Sequence, residues 1–88
     1  MPVVFRRVAV LGAGTMGSQI AAHLANQGIP VDLFDLTTEL VEKAKKRLTE
    51  LKPSPIYTHD VLELVRPGSF QDEADLARLR EADWVVEA

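Results

Sequence analysis

Short apolar runs alternate with longer stretches of helical periodicity along this chain. Residues Arg6 to Leu11 end in four consecutive apolar side chains, a pattern typical of a strand buried within a parallel sheet. A second such strand is predicted over residues 31–35. Between and after these strands, apolar residues recur at three- and four-residue intervals, which predicts one helix from Thr15 to Gln27 and another from Thr38 to Leu51.

The apolar stripe of each helix predicts which side chains face the sheet. Gly28 is placed to end the first helix in a left-handed cap, and Thr37 or Thr38 is expected to cap the second. In the first helix the expected inward positions are Gly17, Ile20, Ala21 and Leu24, with Ser18, Gln19, His23 and Gln27 on the other side. In the second helix they are Leu40, Val41, Ala44, Leu48 and Leu51.

The second half of the chain is less regular. Residues 56–65 fit either a helical face or strand alternation, and a short strand is expected around Ser69-Phe70 after Pro67-Gly68. Asp72 is a candidate cap for a short helix through Arg80, with Leu76 and Leu79 facing inward. A final strand is expected to start near Trp84.

A glycine-rich turn joins the first strand to the first helix. Gly12-Ala13-Gly14-Thr15-Met16-Gly17 has the Gly-x-Gly-x-x-Gly spacing. In such a turn the first glycine permits the bend, the second lets a diphosphate approach the backbone, and the third allows close packing of the helix. The unpaired amides and the dipole at the helix start favour an anion there.

An acid at the end of the second strand strengthens this interpretation. Asp35 lies 18 positions after Gly17, close to the spacing of about 20 expected for a ribose-binding acid. Its charge would repel a 2′-phosphate, and residues 36–38 contain no arginine, so we expect NAD rather than NADP. The alternatives are a tight turn without a ligand and an acid that merely caps the second helix.

These elements together predict an α/β, Rossmann-type domain. Alternating strands and helices favour a parallel sheet with right-handed crossovers, here in the order 3-2-1-4. We interpret residues 1–88 as the first half of a dinucleotide-binding domain and expect a longer protein, because the last strand has nothing after it to cover the sheet.

Composition excludes several other classes of function. The net charge of −3 gives no reason to expect nucleic acid or a membrane surface as partner, and the chain has no cysteine and no long apolar run. The first residues have the wrong charge order for a secretory signal, so we expect the cytoplasm. His23 and His59 are expected at the surface, and neither a metal site nor a catalytic residue is predicted.

Three further features have two interpretations each. The basic run Lys45-Lys46-Arg47 is either a phosphate patch or a solvated helix face, and interleaved acids favour the latter. Glu87 is either an ordinary polar strand end or a group near the cofactor crevice. Met16 is either core filler or a cofactor contact, and its position in the loop favours contact.

Residues 8–21, Asp35 and residues 82–88 resemble the corresponding segments of L-3-hydroxyacyl-CoA dehydrogenases. The resemblance implies NAD-dependent oxidation of a 3-hydroxyacyl-CoA, a step of fatty-acid β-oxidation, by a homodimer whose helical second domain closes on the acyl-CoA. It implies that the catalytic residues lie outside these 88 residues. The cofactor-binding residues it implies are Gly12, Ala13, Gly14, Thr15, Met16, Gly17 and Asp35.

Other assignments remain open at this point. Another 3-hydroxyacid or sugar-acid dehydrogenase can share the glycine turn. A non-catalytic nucleotide-sensing domain can share the fold.

Overall fold

A four-stranded parallel sheet forms the centre of the molecule, in the order β3-β2-β1-β4. The structure is a computed structural model that describes residues 6–50 and 59–88, except the side chains of residues 59 and 60. The strands are Val8–Leu11 (β1), Val31–Asp35 (β2), Val65–Ser69 (β3) and Trp84–Glu87 (β4). The helices are Thr15–Asn26 (α1), Thr38–Glu50 (α2), His59–Leu62 (α3) and Glu73–Ala77 (α4), with a 3₁₀ turn at Arg78–Glu81. The predicted α/β fold and strand order are confirmed.

The boundaries of the first four elements agree closely with the prediction. β1 starts at Val8 rather than at Arg6, and α1 ends at Asn26 rather than at Gln27. Gly28 has a φ of +83°, as its predicted left-handed cap requires. The predicted last residue of the second helix, Leu51, lies outside the described residues. None of the helices within residues 6–50 and 59–88 has the length and apolarity needed to traverse a bilayer.

The third strand begins four residues earlier than predicted. Pro67 and Gly68 lie inside β3, paired with Leu33 and Phe34 of β2, instead of ending an element before it. β3 is an edge strand of the described sheet, so no further strand pairs with its outer side. A proline is tolerated there because no neighbouring strand needs its missing N–H as a hydrogen-bond donor. Before β3, residues 56–58 lie outside the described residues, and α3 confirms the helical alternative for residues 61 and 62.

The main core lies between one face of the sheet and helices α1 and α2. Alternate residues of the strands point into it because successive side chains of a strand face opposite sides. The buried members of this cluster are Val8, Val10, Ala13, Ala21, Ala25, Val31, Leu33, Val41, Ala44 and Val65. Small alanines on α1 and α2 let both helices approach the sheet closely.

Two predictions about the faces of α1 and α2 are wrong. Ser18 is buried rather than outward-facing, because its side chain is small and its Oγ donates to the Gly14 carbonyl at 2.6 Å. Leu40 is 40% exposed rather than part of the buried stripe. Leu40 and Asp35 line the same surface cleft. Thr37 caps α2 as predicted, since its Oγ1 accepts from the Leu40 amide at 3.3 Å.

The short helix α4 starts as predicted but buries less. Asp72 caps it by accepting from the amides of Ala74 and Asp75 at 2.8 and 3.2 Å. Leu79 is partly buried, whereas Leu76 is exposed, which contradicts its predicted inward position. A five-residue helix offers only a narrow face, and α4 has no buried residue.

The opposite face of the sheet carries an aromatic and cationic stack. The Phe34 ring lies 5.7 Å from the Phe70 ring and 5.5 Å from the Arg78 guanidinium, measured to the ring centroids. A Cβ at Gly68 would come within 2.7 Å of both Phe34 and Arg78. Any other residue at this position of β3 would require these side chains to shift, so glycine is favoured where the sequence suggests only a turn.

Asp32 is fully buried on this same face and is held by two arginines. Its Oδ1 lies 3.0 Å from Arg7 Nη1 and 2.6 Å from Arg66 Nε, and its Oδ2 accepts from Arg66 Nη2 at 3.0 Å. The hydrogen bond to Asp32 raises the pKa of Arg66. Because β1 and β3 flank β2, the carboxylate joins all three strands.

We expect Asp32→Asn to lower the free energy of unfolding by about 2 kcal/mol. Loss of one partner in a buried pair costs about 3–5 kcal/mol, and the partly exposed arginines here regain some hydration. Urea denaturation of the intact protein measures the effect. Glu81→Gln is the matched control, because Glu81 also faces Arg66 but is exposed. Equal losses in the two variants would contradict a structural role for the buried carboxylate.

Candidate coenzyme site

The glycine-rich loop is shaped by two steric requirements. Gly12 has a φ of +108°, a left-handed conformation that favours glycine. A Cβ at Gly17 would lie 1.7 Å from the Gly12 carbonyl oxygen and 3.3 Å from the Ala88 Cβ. The first turn of α1 therefore packs against the end of β1, which confirms the predicted close approach.

Gly14 has a different environment from the other two loop glycines. A Cβ built there meets no described atom within 4 Å, and its φ of −70° suits any residue. Gly14 is the N-cap of α1 but provides no side-chain cap, and the first turn of the helix carries no acid. The positive end of the α1 dipole therefore opens onto free space, where a negatively charged group is stabilised.

Asp35 lies beside this loop at the carboxyl end of β2. Its Oδ2 accepts from the Ala13 amide at 2.8 Å, and its Oδ1 accepts from the Leu36 amide at 2.7 Å. The alternative in which Asp35 caps α2 is wrong, since Thr37 makes that bond. The carboxylate is only partly buried, so its remaining acceptor positions are accessible.

A cleft of about 500 Å³ lies between the loop, the end of β2 and one face of α2. This volume is within the usual range of about 300–1,000 Å³ for small-molecule sites. The residues that line it are Ala13, Gly14, Asp35, Leu40, Lys43, Lys46, Arg47 and Glu50. Three basic residues and two acids thus line the cleft together with the apolar Leu40.

The structure brings some of the predicted site residues together and separates others. Ala13, Gly14 and Asp35 line the same cleft. Thr15 lines a small neighbouring cavity of about 110 Å³. Met16 is 69% exposed and lies in a third, apolar cavity with Trp84. Its predicted contact with the cofactor stays a prediction.

The predicted surface positions have mixed outcomes. His23 is exposed, as predicted, whereas the His59 side chain lies outside the described residues. Glu87 is exposed and pairs with Leu11 at the carboxyl end of β4, and both interpretations of it remain.

The basic run on α2 is not simply a solvated face. Lys45 Nζ donates to the Val65 carbonyl at 2.9 Å, and Arg47 Nη2 donates to the Ala13 carbonyl at 3.2 Å. Lys46 and Arg47 are both exposed, as a solvated face requires, whereas Lys45 is half-buried. Within the described ranges, Lys46 alone of the three makes no such bond. The sequence signal that was missed is the spacing of Leu40, Lys43 and Arg47, which places them on one helix face turned towards the cleft.

Comparison with known proteins identifies the family of the chain and its coenzyme. A family model for the NAD-binding domain of 3-hydroxyacyl-CoA dehydrogenases matches residues 7–88. The chain belongs to this family. NAD is therefore the coenzyme that this domain binds, and the interpretation as a glycine turn without a ligand is set aside.

Individual members of the family show the same relationship. The chain is 38% identical to a probable 3-hydroxyacyl-CoA dehydrogenase of Bacillus subtilis, over 93% of this chain and 13% of that protein. It is also 38% identical to a protein of the same description from Deinococcus radiodurans, over 94% of this chain and 25% of that protein. The solved structure of 3-hydroxybutyryl-CoA dehydrogenase from Escherichia coli matches with a TM-score of 0.75 and 29% identity. This match covers 97% of this chain and 19% of that chain. The chain thus spans a quarter or less of each of these proteins.

We expect Gly17→Ala to destabilise this NAD-binding domain by about 3 kcal/mol, because the new methyl group overlaps the backbone carbonyl of Gly12 rather than a flexible side chain. Gly14→Ala is the matched variant and should cost at most about 1 kcal/mol, the penalty for a poorer N-cap. Thermal unfolding of both variants tests the difference. If Gly17→Ala unfolded at the same temperature as Gly14→Ala, the steric account would be incorrect.

Proposed function

We propose that the cleft holds the adenosine and diphosphate of NAD, with the diphosphate at the start of α1 and the ribose at Asp35. The observation that carries this placement is that Gly14, which leaves open space at the helix start, and the Asp35 carboxylate line one cleft. Each Asp35 oxygen already accepts one backbone bond and can accept a further bond from a ribose hydroxyl. The exposed apolar side chain of Leu40 is then placed to contact the adenine.

The same arrangement favours NAD over NADP. The Asp35 carboxylate would face the 2′ position of the ribose, where an added phosphate is repelled. Its Oδ2 is committed to the Ala13 amide, so the carboxylate cannot turn away without loss of that bond. The preference for NAD over NADP therefore depends on the hydrogen bond between Asp35 and the loop residue Ala13.

For the whole protein we propose the oxidation of a 3-hydroxyacyl-CoA to the 3-oxoacyl-CoA, as a step of fatty-acid β-oxidation. Family membership and the descriptions of the relatives support this activity. Bound NAD would supply the acceptor for the hydride. In this proposal residues 1–88 bind and orient the coenzyme, and the catalytic groups and the acyl-CoA contacts come from other parts of a homodimeric protein in the cytoplasm.

We expect Asp35→Ala to weaken NAD binding by about 10- to 100-fold. The variant loses a charge-assisted hydrogen bond to the ribose, worth about 1.5–3 kcal/mol, and the bond that positions the Ala13 amide. NADP binding should fall much less, so that the preference for NAD narrows. Isothermal titration of the intact protein with each coenzyme measures both effects.

Glu50→Gln is the control for this experiment, since it removes an exposed acid from the same cleft and should change NAD affinity less than about twofold. Unchanged NAD affinity in Asp35→Ala would refute the proposed ribose site.

We expect Gly14→Ala to separate diphosphate binding from adenosine binding. Its methyl group would occupy the space that a diphosphate needs, while the fold tolerates it. NAD affinity should fall about tenfold, the equivalent of roughly one lost backbone hydrogen bond, while adenosine affinity stays within about twofold. If adenosine and NAD weakened equally, the diphosphate would not lie at Gly14.

A further inference from the structure

Ala13 is held at both of its backbone polar groups by side chains from other elements. Its N–H donates to Asp35 Oδ2 at 2.8 Å, and its carbonyl accepts from Arg47 Nη2 at 3.2 Å. Ala13 itself is 3% exposed. A carboxylate at the end of β2 and a guanidinium on α2 thus both hydrogen-bond to the backbone of one residue in the glycine-rich loop.

These two hydrogen bonds determine how the peptide group between Ala13 and Gly14 is oriented. The Ala13 carbonyl and the Gly14 N–H belong to one planar trans peptide, in which they point in opposite directions. Whatever holds the Ala13 carbonyl therefore also aims the Gly14 amide. Gly14 lines the cleft at the N-terminus of α1, and a Cβ built on it would meet no described atom within 4 Å.

The position of Arg47 follows from the packing of α2. The neighbouring residue Leu48 is 1% exposed, and Ala44 is fully buried, so this part of the helix is held against the rest of the domain. Arg47 projects from the adjoining face, which lines the cleft and also the small cavity beside Thr15. Its side chain therefore reaches the loop from a rigid base, 34 residues away in the sequence.

We propose that Arg47 is a positioning residue for coenzyme binding: it holds the Ala13 carbonyl so that the Ala13–Gly14 peptide presents its amide to the diphosphate. This inference rests on the proposed placement of NAD and goes beyond it. Arg47 acts through Ala13 rather than through its charge alone. Lys46, on the same wall of the cleft, makes no hydrogen bond to the loop within the described residues.

Arg47→Met tests the proposal, because methionine keeps the length of the side chain and removes its donors. In the intact protein we expect the dissociation constants of NAD and ADP to rise about five- to tenfold, the equivalent of roughly one backbone hydrogen bond lost from the diphosphate. The dissociation constant of adenosine should stay within about twofold. Arg47→Lys, which retains a donor, should recover most of the NAD affinity.

Lys46→Met is the matched control, since it removes an equal charge from the same wall. Its effect on NAD should be less than about twofold and should vanish at about 0.5 M salt, where the screening length is only a few ångströms. The loss in Arg47→Met should persist at that salt concentration. The Gly14 amide resonance in NMR spectra should shift in Arg47→Met and stay in place in Lys46→Met.

Two results would overturn the proposal while the NAD site stands. In the first, Arg47→Met binds NAD as tightly as the unaltered protein does, while Asp35→Ala still weakens NAD binding. In the other, Arg47→Met and Lys46→Met weaken binding equally and both effects disappear with salt, which assigns the effect to charge alone. Failure of the unaltered protein to bind NAD would instead overturn the proposed coenzyme site, and this inference with it.

Discussion

The contact between the first turn of α1 and the carbonyl of Gly12 sets the geometry of the whole domain. With 1.7 Å between that oxygen and any Cβ at position 17, only glycine permits the approach. The approach lets α1 turn back along the sheet directly after β1, as a right-handed crossover to a parallel neighbour requires. It also aims the positive end of the helix dipole at the edge where β1 and β2 end.

The alternation of β2 gives its two aspartates opposite roles. Asp32 points away from helices α1 and α2, is fully buried, and is neutralised by Arg7 and Arg66. Asp35 lies three positions later, at the open end of the strand, and bonds to backbone amides instead of cations. The first carboxylate holds three strands together, whereas the second leaves acceptor positions for a ligand. The burial of each carboxylate and the groups it bonds to, rather than its residue type, therefore decide whether the aspartate stabilises the sheet or is available to a ligand.

Patterns of short range predict most of the architecture. The apolar runs of β1 and β2, the helix periodicity, and the caps at Gly28 and Asp72 all depend on neighbours within a few residues. Features that depend on distant partners are missed. Pro67 is compatible with a strand only because β3 lies at an edge, and Leu40 is exposed because it faces a cleft built by another loop.

The sequence by itself determined the coenzyme motif, the acid that follows it, and the α/β order of the elements. Each of these is written in local spacing, because strand alternation, helix periodicity and turn stereochemistry act over a few residues. Only the tertiary structure decided which face of α2 meets the loop, and therefore that Arg47 bonds to Ala13. That contact depends on the packing of α2 against α1 and the sheet, which brings together groups that no local pattern relates.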